Sequence, residues 1–151
     1  MEAEASGKNI YYFAVEKYPL PESITGMLNY GSLKGRRGAA LFDLIHSAVW
    51  NEPVAITPFF TIEKREADLT ADAIPGTFDL IYFDAFGPDK QPEMWTEDIF
   101  ARIARASHHG TVFVTYSAKG SLKRSLRSNG FSVEHLPGPP GKRSITRAVK
   151  I

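Results

Sequence analysis

The sequence predicts an α/β fold: a mostly parallel sheet, covered by helices on both faces, that closes on an antiparallel pair of strands. Three observations predict it. The runs IYYFAV (10–15), FDLIYF (78–83) and TVFVTY (111–116) are short and rich in apolar, β-branched and aromatic residues, as buried parallel strands are. Stretches with helical spacing separate them, as parallel strands require. The last two strand-like runs, 131–136 and 145–151, are joined by the turn-rich stretch 137–141 without a helix, so they pair antiparallel.

Taken in order, the first strand ends at Glu16-Lys17-Tyr18-Pro19, and Pro21-Glu22-Ser23 reads as a helix start, with the helix running to about Asn29. Residues 31–38 read as a loop containing glycine, lysine and arginine. A second helical stretch covers 41–50, with Leu41, Leu44, Ile45 and Ala48 on one side. Residues 53–68 read as one strand in which Phe59, Thr61 and Glu63 alternate with Phe60, Ile62 and Lys64; Pro53 and Pro58 place its start at a sheet edge or in a loop. After Gly76-Thr77 comes FDLIYF, the strongest strand signal. A helix is expected over 92–107, with Trp95, Ile99, Phe100, Ile103 and Ala104 at helical spacing, and another over 117–129, stopped by Gly130.

The 151 residues make a single domain, 1–151, large enough to bury a core. Its 43% hydrophobic and 23% charged content is that of a globular protein rather than a disordered one. No apolar run reaches about 18 residues, so no membrane helix is expected. MEAEASGKNI lacks the layout of a signal peptide, and with no cysteine there are no disulfides, thiolate zinc sites or cysteine nucleophiles. These features point to the cytoplasm. The net charge is +1, yet from Lys119 onward Lys119, Lys123, Arg124, Arg127, Lys142, Arg143, Arg147 and Lys150 face one acid, Glu134. Such an end suits a polyanion, or is a solvated helix face followed by a basic tail.

Ligands of open parallel sheets bind beyond the carboxyl ends of the strands, where Glu16, Asp68 and Asp84 stand. A carboxylate in the place of Glu16 can accept hydrogen bonds from both ribose hydroxyls of a nucleoside cofactor; otherwise it is a solvated loop acid. Asp68 can accept from the exocyclic amine of adenine, or serve as a cap or turn former before Leu69-Thr70. Asp84, at the end of the most apolar strand, can accept a hydrogen bond from an attacking amine and stabilise the charge developing on nitrogen. Phe86 can pack on a flat base and Pro88 can stiffen the loop; the plainer alternative is a loop acid satisfying backbone amides beside a core phenylalanine. His46, His108, His109 and His135 lack metal-ligand spacing, so no metal is expected. Ser117 lies outside a Gly-x-Ser-x-Gly elbow, and 31–38 lacks the spacing of a phosphate loop. Trp95 reads as a helix-packing residue rather than a stacking platform.

FDLIYFDAFGPDKQPEMWTEDIF resembles the stretch after the fourth strand of the tRNA 5-methylaminomethyl-2-thiouridine methyltransferases, with their Asp-x-Phe-x-Pro and Pro-Glu-x-Trp at Asp84, Phe86, Pro88, Pro92, Glu93 and Trp95. TYSAKGSLKRSLRSNGFSVEHLPGPPGKRSITRA is similar to that family's later helix start, Gly-Phe strand and Gly-Lys-Arg close, and Val15-Glu16-Lys17-Tyr18-Pro19-Leu20 to the end of its second strand. The matches span nearly the whole chain in order. The resemblance implies a Rossmann-like S-adenosylmethionine methyltransferase that passes a methyl group to the exocyclic amine of 5-aminomethyl-2-thiouridine at the wobble position, in the tRNA anticodon loop. It implies that Asp84 contacts the substrate amine, Phe86 shapes the pocket, Glu16 holds the ribose and Asp68 reads adenine. Pro88, Tyr116 and Ser117 would line the target-base side, Lys142 and Arg143 would meet tRNA phosphates, and an FAD-dependent oxidoreductase is a possible partner.

The family begins with an earlier strand and a Gly-Phe-Gly-Thr-Gly-x-Asn loop that cradles the methionine end of the cofactor. Neither is found here, so the domain is expected to be incomplete and its activity impaired. The competing expectations are a Rossmann-like methyltransferase for another small amine or nucleobase, and a non-catalytic RNA-binding remnant.

Overall fold

A computed structural model describes residues 2–138, 140 and 144–151. Its contacts divide the chain into two compact units, one running up to Asp68 and the other from Leu69 onward.

The first unit contains α1 (Glu2–Ser6), β1 (Ile10–Glu16), α2 (Glu22–Thr25), a 3-10 turn (Tyr30–Lys34), α3 (Gly35–Ser47), β2 (Pro53–Thr57) and β3 (Phe60–Glu66). Its sheet has the order β1-β3-β2. β1 and β3 run parallel, in register from Ile10 opposite Phe60 to Glu16 opposite Glu66. The stretch expected as one strand over 53–68 is an antiparallel hairpin. Pro58 sits in its turn, where its missing N–H removes nothing from the ladder, and Phe59 N–H donates to Thr57 Oγ1 at 3.3 Å. The alternation read from the sequence is not kept in burial on β3: Ile62, Glu63 and Lys64 are all buried, Glu63 because Tyr11 and Arg65 satisfy its carboxylate. Lys64 Nζ donates to the carbonyl of His46 in the last turn of α3, at 2.8 Å, and lies 5.0 Å from the Trp50 ring. Burial pushes its ammonium below the ordinary lysine range.

The expected loop over 31–38 is instead the 3-10 turn and the opening of α3. Gly31 explains the difference. It is buried, and a Cβ there would stand 2.9 Å from both Ala39 Cα and Phe42 Cβ, so its missing side chain is what lets the turn close on the helix. The helix expected from Pro21 to about Asn29 is a single turn, Glu22–Thr25, whose ends carry no side-chain cap hydrogen bond.

The second unit contains β4 (Phe78–Phe83), a 3-10 turn (Pro92–Trp95), α4 (Glu97–Arg105), β5 (Ser107–Thr115), α5 (Gly120–Ser128), β6 (Phe131–Pro137) and β7 (Ser144–Lys150). The strand order is β4-β5-β7-β6. β4 and β5 are parallel, and β7 pairs antiparallel with both β5 and β6, the closure predicted from the sequence. The single helix expected over 92–107 is broken at Thr96, whose hydroxyl caps α4 by accepting from Ile99 N–H at 3.4 Å. α5 starts at Gly120 rather than Ser117 and stops before Gly130, whose φ of +76° suits glycine.

Phe83, Ile99, Phe100, Ile103, Phe113, Leu122, Leu126, Phe131 and Ala148 form the core of this unit, joining α4 and α5 to one face of the sheet. β4 is an edge strand, and Leu80 and Tyr82 remain 46% and 67% exposed.

Candidate functional site

The acids singled out in the sequence stand where parallel strands end. In the first unit Glu16 is the last residue of β1, and Asp68 follows β3 by two residues. The register brings them to the same end of the sheet, with Glu16 opposite Glu66 and Ala67 N–H donating to the Glu16 carbonyl at 3.1 Å. Tyr18 N–H donates to Glu16 Oε1 at 2.9 Å, which orients the carboxylate from its own turn. Lys17 Nζ lies 2.6 Å from Asp68 Oδ2, an ion pair the sequence reading missed. Its hydrogen bond to Asp68 holds the ammonium above the ordinary lysine range. The pair is partly exposed and so of small stabilising value, which leaves the Asp68 carboxylate open to exchange for another donor.

In the second unit β4 delivers Asp84 to solvent from a strand whose last residue, Phe83, is buried. Among the described residues the Asp84 carboxylate has no hydrogen-bond or ion-pair partner. The loop it opens is held by side chains from three places. Phe86 N–H donates to Gln91 Oε1 at 3.1 Å, Trp95 Nε1–H donates to the Phe86 carbonyl at 2.7 Å, and the Tyr116 hydroxyl donates to the Ala85 carbonyl at 2.9 Å. The Gly87 carbonyl accepts from both Lys90 and Gln91 N–H, which closes the loop around half-buried Pro88. Lys119 Nζ pairs with Asp89 at 2.8 Å, tying the loop to the residue before α5. The Phe86 ring is nonetheless 76% exposed.

Trp95 is a packing residue, as expected, since its ring meets Phe83 edge-on at 5.1 Å and Tyr116 at 6.2 Å. It is also a hydrogen-bond donor to the loop, a role the helical spacing concealed. Gln91 was not singled out; its place just before Pro92 is the only sequence signal. Tyr116 is brought to the Asp84 loop with its hydroxyl engaged on Ala85. Ser117 lies beside it but is only 6% exposed, and its carbonyl accepts from Thr146 at 2.7 Å. Lys142 and Arg143 lie outside the described residues. Of the other cations at the basic end, Lys119 and Arg147 pair with Asp89 and Glu134, while Arg124 and Arg127 on α5 are exposed. Among the described residues no group of three His, Cys, Asp or Glu is arranged to hold a metal ion, and no helix is long and apolar enough to cross a membrane.

An exposed carboxylate beside an exposed flat ring, at the end of a parallel strand, can bind a polar nitrogen and stack on its ring. A family model described as S-adenosyl-L-methionine-dependent methyltransferase matches residues 61–151, more than half of the chain. The tRNA 5-methylaminomethyl-2-thiouridine biosynthesis bifunctional protein MnmC of Marinomonas sp. is 33% identical over 147 residues, covering 94% of this chain and 22% of that protein. The protein of the same name from Magnetococcus marinus is 30% identical over 162 residues, covering 97% and 23%. The chain thus spans about a fifth of the length of the curated relatives it matches. The crystal structure of MnmC2 from Aquifex aeolicus has the same fold, with a TM-score of 0.71 at 22% identity over 93% of this chain and 44% of that one. A family model over more than half of the chain and a relative 33% identical over 94% of it show that the chain belongs to the S-adenosyl-L-methionine-dependent methyltransferase family.

Proposed function

We propose that this chain serves N-methylation of the 5-aminomethyl group of wobble 2-thiouridine in tRNA. The observation that carries the reading is the Asp84 carboxylate, exposed at the end of β4 on a loop held by Gln91, Trp95 and Tyr116. Its support is the likeness to proteins named for the biosynthesis of that nucleoside, which extends over 94% of the chain. Both units belong to one methyltransferase domain in this reading.

The donor set fits the nucleoside part of the cofactor. Tyr18 N–H orients the Glu16 carboxylate for the ribose hydroxyls, and Asp68 accepts from the adenine amine in place of Lys17. When bound, S-adenosylmethionine supplies a methyl group whose bond to sulfur breaks as its bond to the amine nitrogen forms, the electron pair staying on sulfur. Asp84 accepts an N–H of the substrate amine, which turns the nitrogen lone pair outward, and its charge offsets the positive charge that grows on nitrogen. The same carboxylate holds the proton that the nitrogen must lose. Phe86 stacks on the pyrimidine, and Pro88 and Tyr116 line the target-base side together with Ser117, whose carbonyl accepts from Thr146. Arg124 and Arg127, with Lys142 and Arg143, meet the phosphates, so binding weakens steeply with salt. The anticodon loop presents its base unpaired, which keeps the cost of access low. An FAD-dependent oxidoreductase activity that yields the aminomethyl substrate is the matching partner, and the cytoplasm is the setting.

The test is transfer of labelled methyl from S-adenosylmethionine to two tRNA preparations, one bearing the 5-aminomethyl group and one lacking it. Label in the first alone is the expected result. Label in both, or in neither, contradicts the proposal.

A further inference from the structure

We propose that Gln91 and Trp95 are positioning residues: together they fix both backbone torsions of Phe86, and so set where the Phe86 ring and the Asp84 carboxylate meet the substrate. This inference rests on the function proposed above. Phe86 N–H belongs to the peptide before its Cα and the Phe86 carbonyl to the peptide after it. Gln91 Oε1 holds the first at 3.1 Å and Trp95 Nε1–H holds the second at 2.7 Å, so neither peptide plane turns without breaking a hydrogen bond. Tyr116 fixes the preceding carbonyl, that of Ala85.

The anchors are themselves secured. Gln91 N–H donates to Gly87, and the Gln91 carbonyl accepts from Met94 at the 3-10 turn. The Trp95 ring packs on Phe83 and Phe100, both in the core. A core has no use for this arrangement, because the side chain it displays, Phe86, is 76% exposed. Ordering an exposed aromatic residue costs backbone and side-chain entropy. The return comes if the ring and the carboxylate two residues earlier must stand at set places when substrate arrives, since small misplacements of reacting groups slow a reaction steeply.

The test uses Trp95→Phe, which keeps an aromatic but smaller ring in the packing and drops the indole N–H, Gln91→Ala, which removes the acceptor, and Gln91→Glu, which restores it. Three quantities are read on each: hydrogen exchange of the Phe86 amide, thermal midpoint, and kcat and KM for methyl transfer to aminomethyl tRNA. Trp95→Phe and Gln91→Ala are expected to speed Phe86 exchange about tenfold, the loss of one net hydrogen bond. They are expected to lower kcat about tenfold or more with KM for S-adenosylmethionine unchanged; the midpoint falls modestly in Trp95→Phe, whose smaller ring packs less on Phe83 and Phe100, and stays unchanged in Gln91→Ala, while Gln91→Glu recovers both exchange and kcat. Unchanged Phe86 exchange overturns the inference, as does faster exchange with full kcat. A fall in kcat accompanied by a lower midpoint and a raised cofactor KM overturns it too, since that is a merely structural effect. A parent chain that methylates neither tRNA counts against the proposed function and any catalytic purpose of the clamp, whereas equal exchange in parent and variants counts against the clamp alone.

Discussion

Phe113→Ala is the perturbation that most directly tests how the second unit is held together. Phe113 lies on β5 and is 0% exposed. Its ring touches three others, with centroids 5.9 Å from Phe83, 6.3 Å from Phe100 and 6.3 Å from Phe131. Those neighbours come from β4, α4 and β6, so no single element can shift to fill the gap. Truncating a phenylalanine at a site that cannot collapse costs about 3–5 kcal/mol, a large share of the roughly 5–15 kcal/mol that holds a domain folded. Phe113→Leu, which keeps most of the volume, is expected to cost less than about 1.5 kcal/mol. The assay is urea unfolding followed by Trp95 fluorescence in a Trp50→Phe background, because Trp95 packs on Phe83 in this cluster and the chain has one other tryptophan. A loss below about 1 kcal/mol for Phe113→Ala would refute the reasoning, since it would mean that the core relaxes around the void.

Three further outcomes follow from individual contacts. Tyr11→Phe removes the hydroxyl that, together with Arg65, holds the Glu63 carboxyl below the usual carboxylate range. A depressed carboxylate adds stability above its unfolded value that is lost as pH falls through its folded value, so the acid limb of the stability profile moves to higher pH in the variant; an unmoved limb contradicts this. Asp79→Asn lowers the titration midpoint of His108, followed by proton NMR, but leaves it above the ordinary histidine range, because the backbone hydrogen bond to His109 is the larger cause of its elevation. A midpoint that stays where it was shows that the Asp79 contact is not formed in solution. Gly31→Ala forces a Cβ to 2.9 Å from Ala39 Cα and costs about 1–3 kcal/mol by chemical denaturation, as an overpacked contact does; a neutral result refutes the close approach.

What the sequence made legible was whatever a local pattern determines. The short runs rich in apolar and aromatic residues became β1, β4 and β5, and a linker too short for a helix foretold the antiparallel closure of β6 and β7. The acids at strand ends were legible for the same reason, because strand direction alone places Glu16 and Asp84. What depends on contact between distant residues was not. Pro58 reads locally as a sign of a sheet edge or a loop, and only the pairing of β2 with β3 makes it the turn of a hairpin. Gly31 looks like a loop residue until its closeness to Ala39 is known. Thr96 was overlooked because Trp95 and Ile99 keep helical spacing across it, while its hydroxyl starts a new helix. Gln91 and Trp95 act on the backbone of Phe86 through hydrogen bonds that leave no periodicity in the sequence.

The central claim is that the carboxylate at the end of β4 meets the nitrogen that receives the methyl group. The most direct measurement is single-turnover methyl transfer to aminomethyl tRNA by the parent and by Asp84→Asn, with cofactor affinity measured on both by calorimetry. The account predicts a rate lower by about 10²–10³-fold, the size of effect seen when a group that stabilises transition-state charge is removed, with unchanged affinity for S-adenosylmethionine. A variant that transfers methyl at the parent's rate, or one whose loss is explained by weakened cofactor binding, contradicts it.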